Sequence, residues 1–304
     1  MPVSSFGYPA IGAIGLRSLR NPSTIDQTGF VTVTLTRMNV RQDMDPILKI
    51  ENLTISFGGI RALSNVSFEV GKGSIYSIIG PNGAGKTTIF NCISGIYEPD
   101  SGKIFFKGED ITYLKPHQVA QKGIARTFQN IELFSHMTTM DNLMLGRHLH
   151  MKTGIWRGAT FIYKGSKAAG EEIANRGKVE EIIDFLELQA ARNQFVVNLP
   201  YGTRKLVELG RALALEPELI LLDEPSAGMN MEEKGDLMFS IQDIRDDLGI
   251  TVLLVEHDMN LIMDISDRIL ALNYGEKIAE GLPEEIQNHP EVLKAYLGEE
   301  EKVA

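Results

Sequence analysis

Residues 80–88 read GPNGAGKTT, and their types and spacing are those of a polyphosphate site. Gly80, Gly85, Lys86 and Thr87 fit G-x-x-x-x-G-K-[ST], with Pro81, Asn82, Gly83 and Ala84 between them and Thr88 following. The glycines let backbone N–H groups turn towards an anion without interference from a Cβ. Lys86 brings a charge for β- and γ-phosphates, and the Thr87 hydroxyl is a ligand for Mg²⁺. A helix N-terminus alone is worth only about 0.3–1 kcal/mol per charge at an exposed site, so holding a polyphosphate requires the lysine and the metal as well. The competing reading is a chance Gly-rich turn. Context argues against it, because the motif follows the apolar strand SIYSIIG and opens KTTIFNCISG, a helix closed by Gly95.

A second concentration of reactive types ends the apolar run ELILLDEP (218–225). A buried strand that delivers Asp223 and Glu224 at its C-terminal end puts them where α/β folds carry out chemistry. Asp223 would hold Mg²⁺ through water, and Glu224 would orient or deprotonate an attacking water; the alternative is an acidic turn. A third group, LPYGTRK (199–205), is a Pro/Gly turn running into a helix whose first residues are Thr203, Arg204 and Lys205. It reads as another anion-facing helix start, or as an ordinary cap with Arg204 and Lys205 in solvent.

The elements that must position these groups follow from periodicity. ILKIENLTISF and VSFEV alternate as antiparallel strands around the turn FGGI, and GKIFFKGEDI adds a short strand and turn. PHQVAQKG is a helix from Pro116 to Gly123, and GIARTFQN is a strand running into a loop. Residues 138–215 read as almost wholly helical: Val179, Ile182, Ile183 and Leu186 share one face, as do Leu206, Leu209 and Leu213. Thereafter ELILLDEP, EEKGDLMFSIQDIRDD, ITVLLVEH, a helix from Asp258, DRILALN and EKIAEG alternate strand with helix, which predicts βαβ units and a parallel sheet. Residues 1–45 lack sustained periodicity and a signal-peptide core, and read as a poorly ordered extension; Met44 begins a clean domain sequence, as after a misplaced translation start.

Composition narrows the function classes. A net charge of −10 argues against nucleic acid as a partner. The single cysteine, Cys92, excludes an intramolecular disulfide or a Cys-based zinc site and reads as an inert core thiol. No run reaches the roughly 18–20 apolar residues needed to span a bilayer, so a membrane role would be exercised from the water side.

The order GPNGAGKTT, Gln129 in RTFQN, LPYGT, LILLDEP, SAGMN and His257 in LLVEHD resembles the ATP-binding subunit of an ABC transporter, over roughly residues 47–298. The resemblance implies a P-loop NTPase (RecA-like) parallel sheet with an N-terminal antiparallel β-subdomain and an inserted α-helical subdomain. The ATP-binding domain would occupy 46–300, with its helical part at roughly 134–215. It implies ATP and Mg²⁺ as ligands, Phe57 stacking on adenine, Gln129 sensing Mg²⁺ and the attacking water, Glu224 as base and His257 contacting the γ-phosphate. It also explains two phosphate-facing helix starts. In this family two ATPase subunits pair head to tail, so Pro200, Tyr201, Gly202 and Thr203 would face ATP held by the partner. The usual motif there is Leu-Ser-Gly-Gly-Gln; Pro200, Tyr201 and Thr203 depart from it, and Asn230 stands where an aspartate is common, which points to an asymmetric pair of different chains.

LPYG, DEPSAGMN and the ending KIAEGLPEEIQNHPEVLKAYLGEE are similar to branched-chain amino acid importers. That resemblance implies a second ATPase subunit, two integral-membrane permease subunits, an extracytoplasmic solute-binding protein and a peripheral place on the cytoplasmic face of the inner (cell) membrane. Importers of urea, amides or aromatic acids, and soluble non-transport ABC ATPases, are the alternatives. The segment 148–172, with Trp156, Phe161 and Tyr163, reads either as a solvated helical hairpin or as a contact with headgroups or permease.

Overall fold

The computed structural model describes residues 46–150 and 167–303. The predicted extension 1–45 and most of the segment 148–172, including Trp156, Phe161 and Tyr163, lie outside the described residues.

Two sheets organise the described residues. β1 (Leu48–Phe57), β2 (Ile60–Val70), β4 (Ser101–Phe106) and β5 (Glu109–Asp110) form an antiparallel sheet in the order β2-β1-β4-β5. In β1 the buried residues are Leu48, Ile50, Leu53 and Ile55. The alternation slips by one between Ile50 and Leu53, where Asn52 takes a left-handed φ of 51° and the register shifts. Such a bulge keeps both halves of the strand facing one core.

The second sheet runs β10-β9-β3-β8-β7-β6, with β3 Ile75–Ile79, β6 Ile124–Arg126, β7 Leu219–Asp223, β8 Thr251–Val255, β9 Arg268–Asn273 and β10 Glu276–Gly281. β3, β7 and β8 are buried at every position, as strands covered on both faces must be. The pairs β3–β8, β3–β9, β7–β8 and β6–β7 are parallel, as the strand–helix alternation predicts. β10 departs from it, lying antiparallel to β9. The physical reason is the two-residue connection Tyr274–Gly275, both at positive φ (46° and 79°), which closes a tight hairpin and leaves no crossover helix.

Because β3, β8, β7 and β6 are parallel neighbours, their C-terminal ends lie along one edge. That edge carries Gly80 after β3, Glu256 and His257 after β8, Asp223 and Glu224 at the end of β7, and Arg126 leading to Gln129 from β6. Among the described residues the helical part is built mainly from α3 (Thr139–Gly146), α4 (Lys167–Phe185) and α5 (Tyr201–Leu213). Val179, Ile183, Leu186, Leu209 and Leu213 are buried, with Ile182 and Leu206 packed against them, so both predicted faces form one core. Gly146 permits the approach of α3 to α5: a Cβ there would stand 2.4 Å from the Arg211 carbonyl oxygen.

Candidate active site

The loop after β3 is shaped by its glycines. Gly80, Gly83 and Gly85 have φ of 150°, 77° and 104°, all unfavourable for other residues. A Cβ on Gly80 would fall 2.3 Å from the Leu272 carbonyl oxygen, whereas one on Gly83 would meet nothing within 4 Å. Gly80 therefore rests on the sheet and Gly83 leaves open space above the loop. α1 (Lys86–Ile93) starts directly behind Gly85. Pro81, Ala84 and Lys86 are buried, Thr88 is half-buried, and Asn82, Gly83 and Thr87 are exposed along the open mouth. Lys86 Nζ donates to the carbonyls of Gly80 (2.6 Å) and Pro81 (2.9 Å), which fixes the ammonium across the loop. Phe57 is exposed, with its ring edge-on to Tyr97 at 5.0 Å between centroids.

Asp223 is buried at the end of β7. One oxygen, Oδ2, accepts from Arg126 Nη2 at 3.0 Å, while Oδ1 has no hydrogen-bond partner among the described residues. Burial pushes the carboxyl above the usual range, against the pull of Arg126 and, more weakly, Lys86. A buried carboxylate oxygen without a partner is costly, and a cation would satisfy it. The donor set of Asp223 and the exposed Thr87 hydroxyl fits Mg²⁺, which takes one or two carboxylates and completes its shell with phosphate and water oxygens. Among the described residues no three His, Cys, Asp or Glu side chains gather into a protein-only metal cage.

Arg126 was not singled out from the sequence. It also donates to Asn91 Oδ1 (2.7 Å) and Ser94 Oγ (2.9 Å), and its guanidinium lies over Phe128 at 5.2 Å. The available signal was an arginine ending the apolar strand IAR, beside a parallel strand that ends in an acid.

Gln129, Glu224 and His257, far apart in sequence, meet at one carboxylate. Glu224 Oε1 lies 2.5 Å from His257 Nε2, and Oε2 accepts from Gln129 Nε2 at 2.7 Å. The Glu224 backbone is left-handed, φ 48°, a conformation that costs a non-glycine residue about 1–2 kcal/mol. Its N–H is anchored to the Val255 carbonyl at 2.8 Å, so the strained turn is held by the neighbouring strand. Glu256 was likewise missed. Fully buried, it accepts from the N–H groups of Ser226 (2.7 Å) and His257 (3.2 Å), tying together the turns that carry Glu224 and His257. In sequence an acid beside a histidine reads as a solvated pair, which hid it.

The second helix start differs from its sequence reading. α5 begins at Tyr201, not Thr203, because Pro200 at φ −55° is already preset for helix entry and serves as the N-cap. Gly202 is therefore inside the first turn, where a Cβ would come within 2.6 Å of Glu233 Oε1. Tyr201 donates its hydroxyl to the Ala227 carbonyl (3.1 Å), and Thr203 is half-buried. Asn230 caps α6 (Met231–Asp246), accepting from the Glu233 N–H at 2.9 Å while Glu233 accepts from its N–H at 3.0 Å. Nor is Lys205 solvated: it is 4% exposed, and its Nζ donates to the Gln129 carbonyl at 2.8 Å. One helical turn on, Glu208 accepts from the Phe128 N–H at 3.4 Å. Burial lowers the Lys205 pKa and raises that of Glu208, each partly offset by the other's charge. α5 thus grips the segment that delivers Gln129.

With this geometry in place, similarity to known proteins is informative. Residues 63–227 match the ABC transporter family, and residues 276–302 match a branched-chain amino acid ATP-binding cassette transporter family. The high-affinity branched-chain amino acid transport ATP-binding protein BraF of Pseudomonas aeruginosa is 42% identical over 256 residues, covering 84% of this chain and 98% of BraF. Its counterpart LivG of Escherichia coli K12 is 41% identical over 254 residues, with coverage of 84% and 98%. Among solved structures, an ATP-binding cassette of an ABC transporter in its ADP conformation superposes with a TM-score of 0.73 at 32% identity, covering 84% of this chain and all (100%) of that one. A dimeric ATP-binding cassette in a post-hydrolysis state, bound to ADP and Pi, superposes with a TM-score of 0.63 at 26% identity, with coverage of 78% and 98%.

Proposed function

We propose, from the premise that this chain belongs to the ABC transporter family of ATP-binding proteins, that it is the ATP-hydrolysing subunit of a branched-chain amino acid importer. The similarity extends over nearly the full length of BraF and LivG, and the C-terminal segment 276–302 matches the branched-chain amino acid ATP-binding cassette transporter family. Residues 46–300 form the ATP-binding domain in this reading, with the helical part at roughly 134–215.

The observation that carries the hydrolytic reading is Glu224 held between Gln129 and His257 beside Asp223, on the edge that also carries the phosphate loop. The loop N–H groups and Lys86 bind the β- and γ-phosphates, and Phe57 covers the adenine. Thr87, Gln129 and, through water, Asp223 would hold Mg²⁺, which would neutralise charge on the phosphate oxygens. Glu224 accepts the proton of the water that attacks the γ-phosphorus, as the bond to the ADP oxygen breaks. Gln129 and His257 keep the carboxylate aimed, and His257 moves to the γ-phosphate once ATP is present.

The chain supplies only part of each catalytic pocket. Pro200, Tyr201, Gly202 and Thr203 present the α5 N-terminus to nucleotide held by a second ABC ATPase subunit, whose own corresponding turn covers this chain's loop. The departures at Pro200, Tyr201 and Thr203 favour a partner of different sequence. Two integral-membrane permease subunits and an extracytoplasmic solute-binding protein complete the importer. No helix among the described residues is long and apolar enough to cross a membrane, and the subunit sits peripherally on the cytoplasmic face. Phe134 and Phe195, exposed next to the segment carrying Gln129, give the permease an apolar contact.

The test is affinity purification of the native chain from membranes. Recovery with two integral-membrane proteins, and ATPase activity stimulated by leucine-loaded binding protein in vesicles, is the expected result. Recovery with ribosomes or DNA, without membrane proteins, would overturn it.

A further inference from the structure

The phosphate loop is held at several points by the chain's C-terminal segment. Gly80, buried at the loop's entrance, donates its N–H to Tyr296 Oη at 2.9 Å. Tyr296 belongs to α9 (Pro290–Val303) and is more than 200 positions away in sequence. The Leu272 carbonyl lies directly beneath Gly80, leaving no room for a Cβ. From the β9–β10 turn, the Gly275 N–H donates to the Ala84 carbonyl at 3.0 Å, and the Gly275 carbonyl in turn accepts from the Ser64 N–H at 2.8 Å.

These contacts are built into the packing. α9 follows α8 (Pro283–Gln287), and Ile286 and Val292 join Ile79, Ile262, Ile269 and Ala271 in a separate apolar cluster. Val292 and Tyr296 share a helix face at i, i+4 spacing, so burying Val292 aims the tyrosine ring at the cluster and its hydroxyl at the loop. Ile79, the last residue of β3, couples the cluster to Gly80.

We propose that the segment from β9 to α9 is a brace that presets the phosphate loop, with Tyr296 as a positioning residue for nucleotide binding. This deepens the ATP-binding reading and rests on it. A buried N–H left without its acceptor lets the loop sample other conformations, and nucleotide must then order it on binding. Residues 276–302 match the branched-chain amino acid ATP-binding cassette transporter family, so the brace gives that segment a role in nucleotide affinity.

The experiment compares the full chain with Tyr296→Phe and, as a control, Thr112→Val. The control removes a hydroxyl that likewise accepts a backbone N–H, from Ile104 at 3.0 Å, in the antiparallel sheet and outside the β9–α9 segment. Binding of a fluorescent ADP analogue with Mg²⁺ is expected to weaken about two- to tenfold in Tyr296→Phe and to stay unchanged in Thr112→Val. Turnover of the assembled transporter at saturating ATP should remain at the wild-type value, so that KM moves and kcat does not. Amide hydrogen exchange of a peptide spanning Gly80 should quicken in nucleotide-free Tyr296→Phe and return to the wild-type rate at saturating nucleotide. Equal affinity in Tyr296→Phe and wild type, unchanged exchange at Gly80, or an equal loss in the Thr112→Val control would overturn the brace. Failure of the wild-type chain to bind the analogue would overturn the ATP-binding reading and the brace with it.

Discussion

The N-termini of α1 and α5, both read from the sequence as anion-facing helix starts, are built by opposite means. At α1 the chain uses three glycines at positive φ, a lysine fixed by two loop carbonyls, and a floor formed by β9. Every part of that loop and its floor comes from one polypeptide. At α5 the entrance is a proline, the N-cap contributes no side-chain bond, and Gly202 is occupied from behind by Glu233. Its polar side chains turn inward, with Lys205 and Glu208 on the Gln129 segment. In the proposed reading the first helix start binds this chain's own nucleotide, and the second completes the pocket of a partner subunit.

The contrast is sharpest at the chemistry itself. Glu224→Gln should cut turnover of the assembled complex by about 10²–10⁴-fold while leaving ATP bound, as steady-state ATPase and nucleotide-binding assays would check. Unchanged hydrolysis would remove Glu224 from its role.

Alanine at the two glycines separates the helix starts. Gly80→Ala forces a Cβ into the Leu272 carbonyl at 2.3 Å from a φ of 150°, and nucleotide binding by the isolated chain should be lost. Gly202→Ala meets only the movable end of Glu233. The helical gain of about 0.5–1 kcal/mol over glycine then offsets most of the weakened α6 cap, typically worth about 1 kcal/mol. Unfolding and nucleotide affinity of the isolated chain should hold, with the loss confined to turnover of the assembled complex. Similar affinity losses in both variants would erase the distinction.

The smallest effect belongs to the link between α5 and Gln129. Lys205→Met keeps the buried stem and removes a charged hydrogen bond, so kcat should fall about tenfold with KM little changed. The same substitution has a pH signature. Burial holds the Lys205 pKa below 10.5, so just below that pH the native chain binds fewer protons than the unfolded one, and stability rises with pH. That increment should vanish in Lys205→Met, as urea unfolding across the alkaline range would show.

The sequence made contiguous, periodic features plain. The glycine loop, the buried runs before Asp223 and His257, and the helix faces through Val179 and Leu209 all follow from local patterns. Cys92 fits its reading as an inert thiol: it is buried, and desolvation pushes its pKa up to about 12. What escaped depends on contacts between distant segments. Arg126 on Asp223, Glu256 beneath two turns, Lys205 on Gln129 and Tyr296 on Gly80 are polar residues whose surroundings exist only after the sheet is assembled. Lys205 was the instructive case, because the sequence offered it to an anion or to solvent, and the assembled fold gives it to the Gln129 carbonyl instead. The antiparallel β10 escaped for a related reason: Tyr274 does not look like a positive-φ turn residue.

The central claim is that catalysis needs a second cassette set against this one. Its most direct test is the specific ATPase activity of the purified chain, diluted until it is monomeric by light scattering, against that of the assembled transporter. Activity that vanishes in the monomer and returns on assembly is the predicted result; a monomer that splits ATP at the rate of the complex would contradict it.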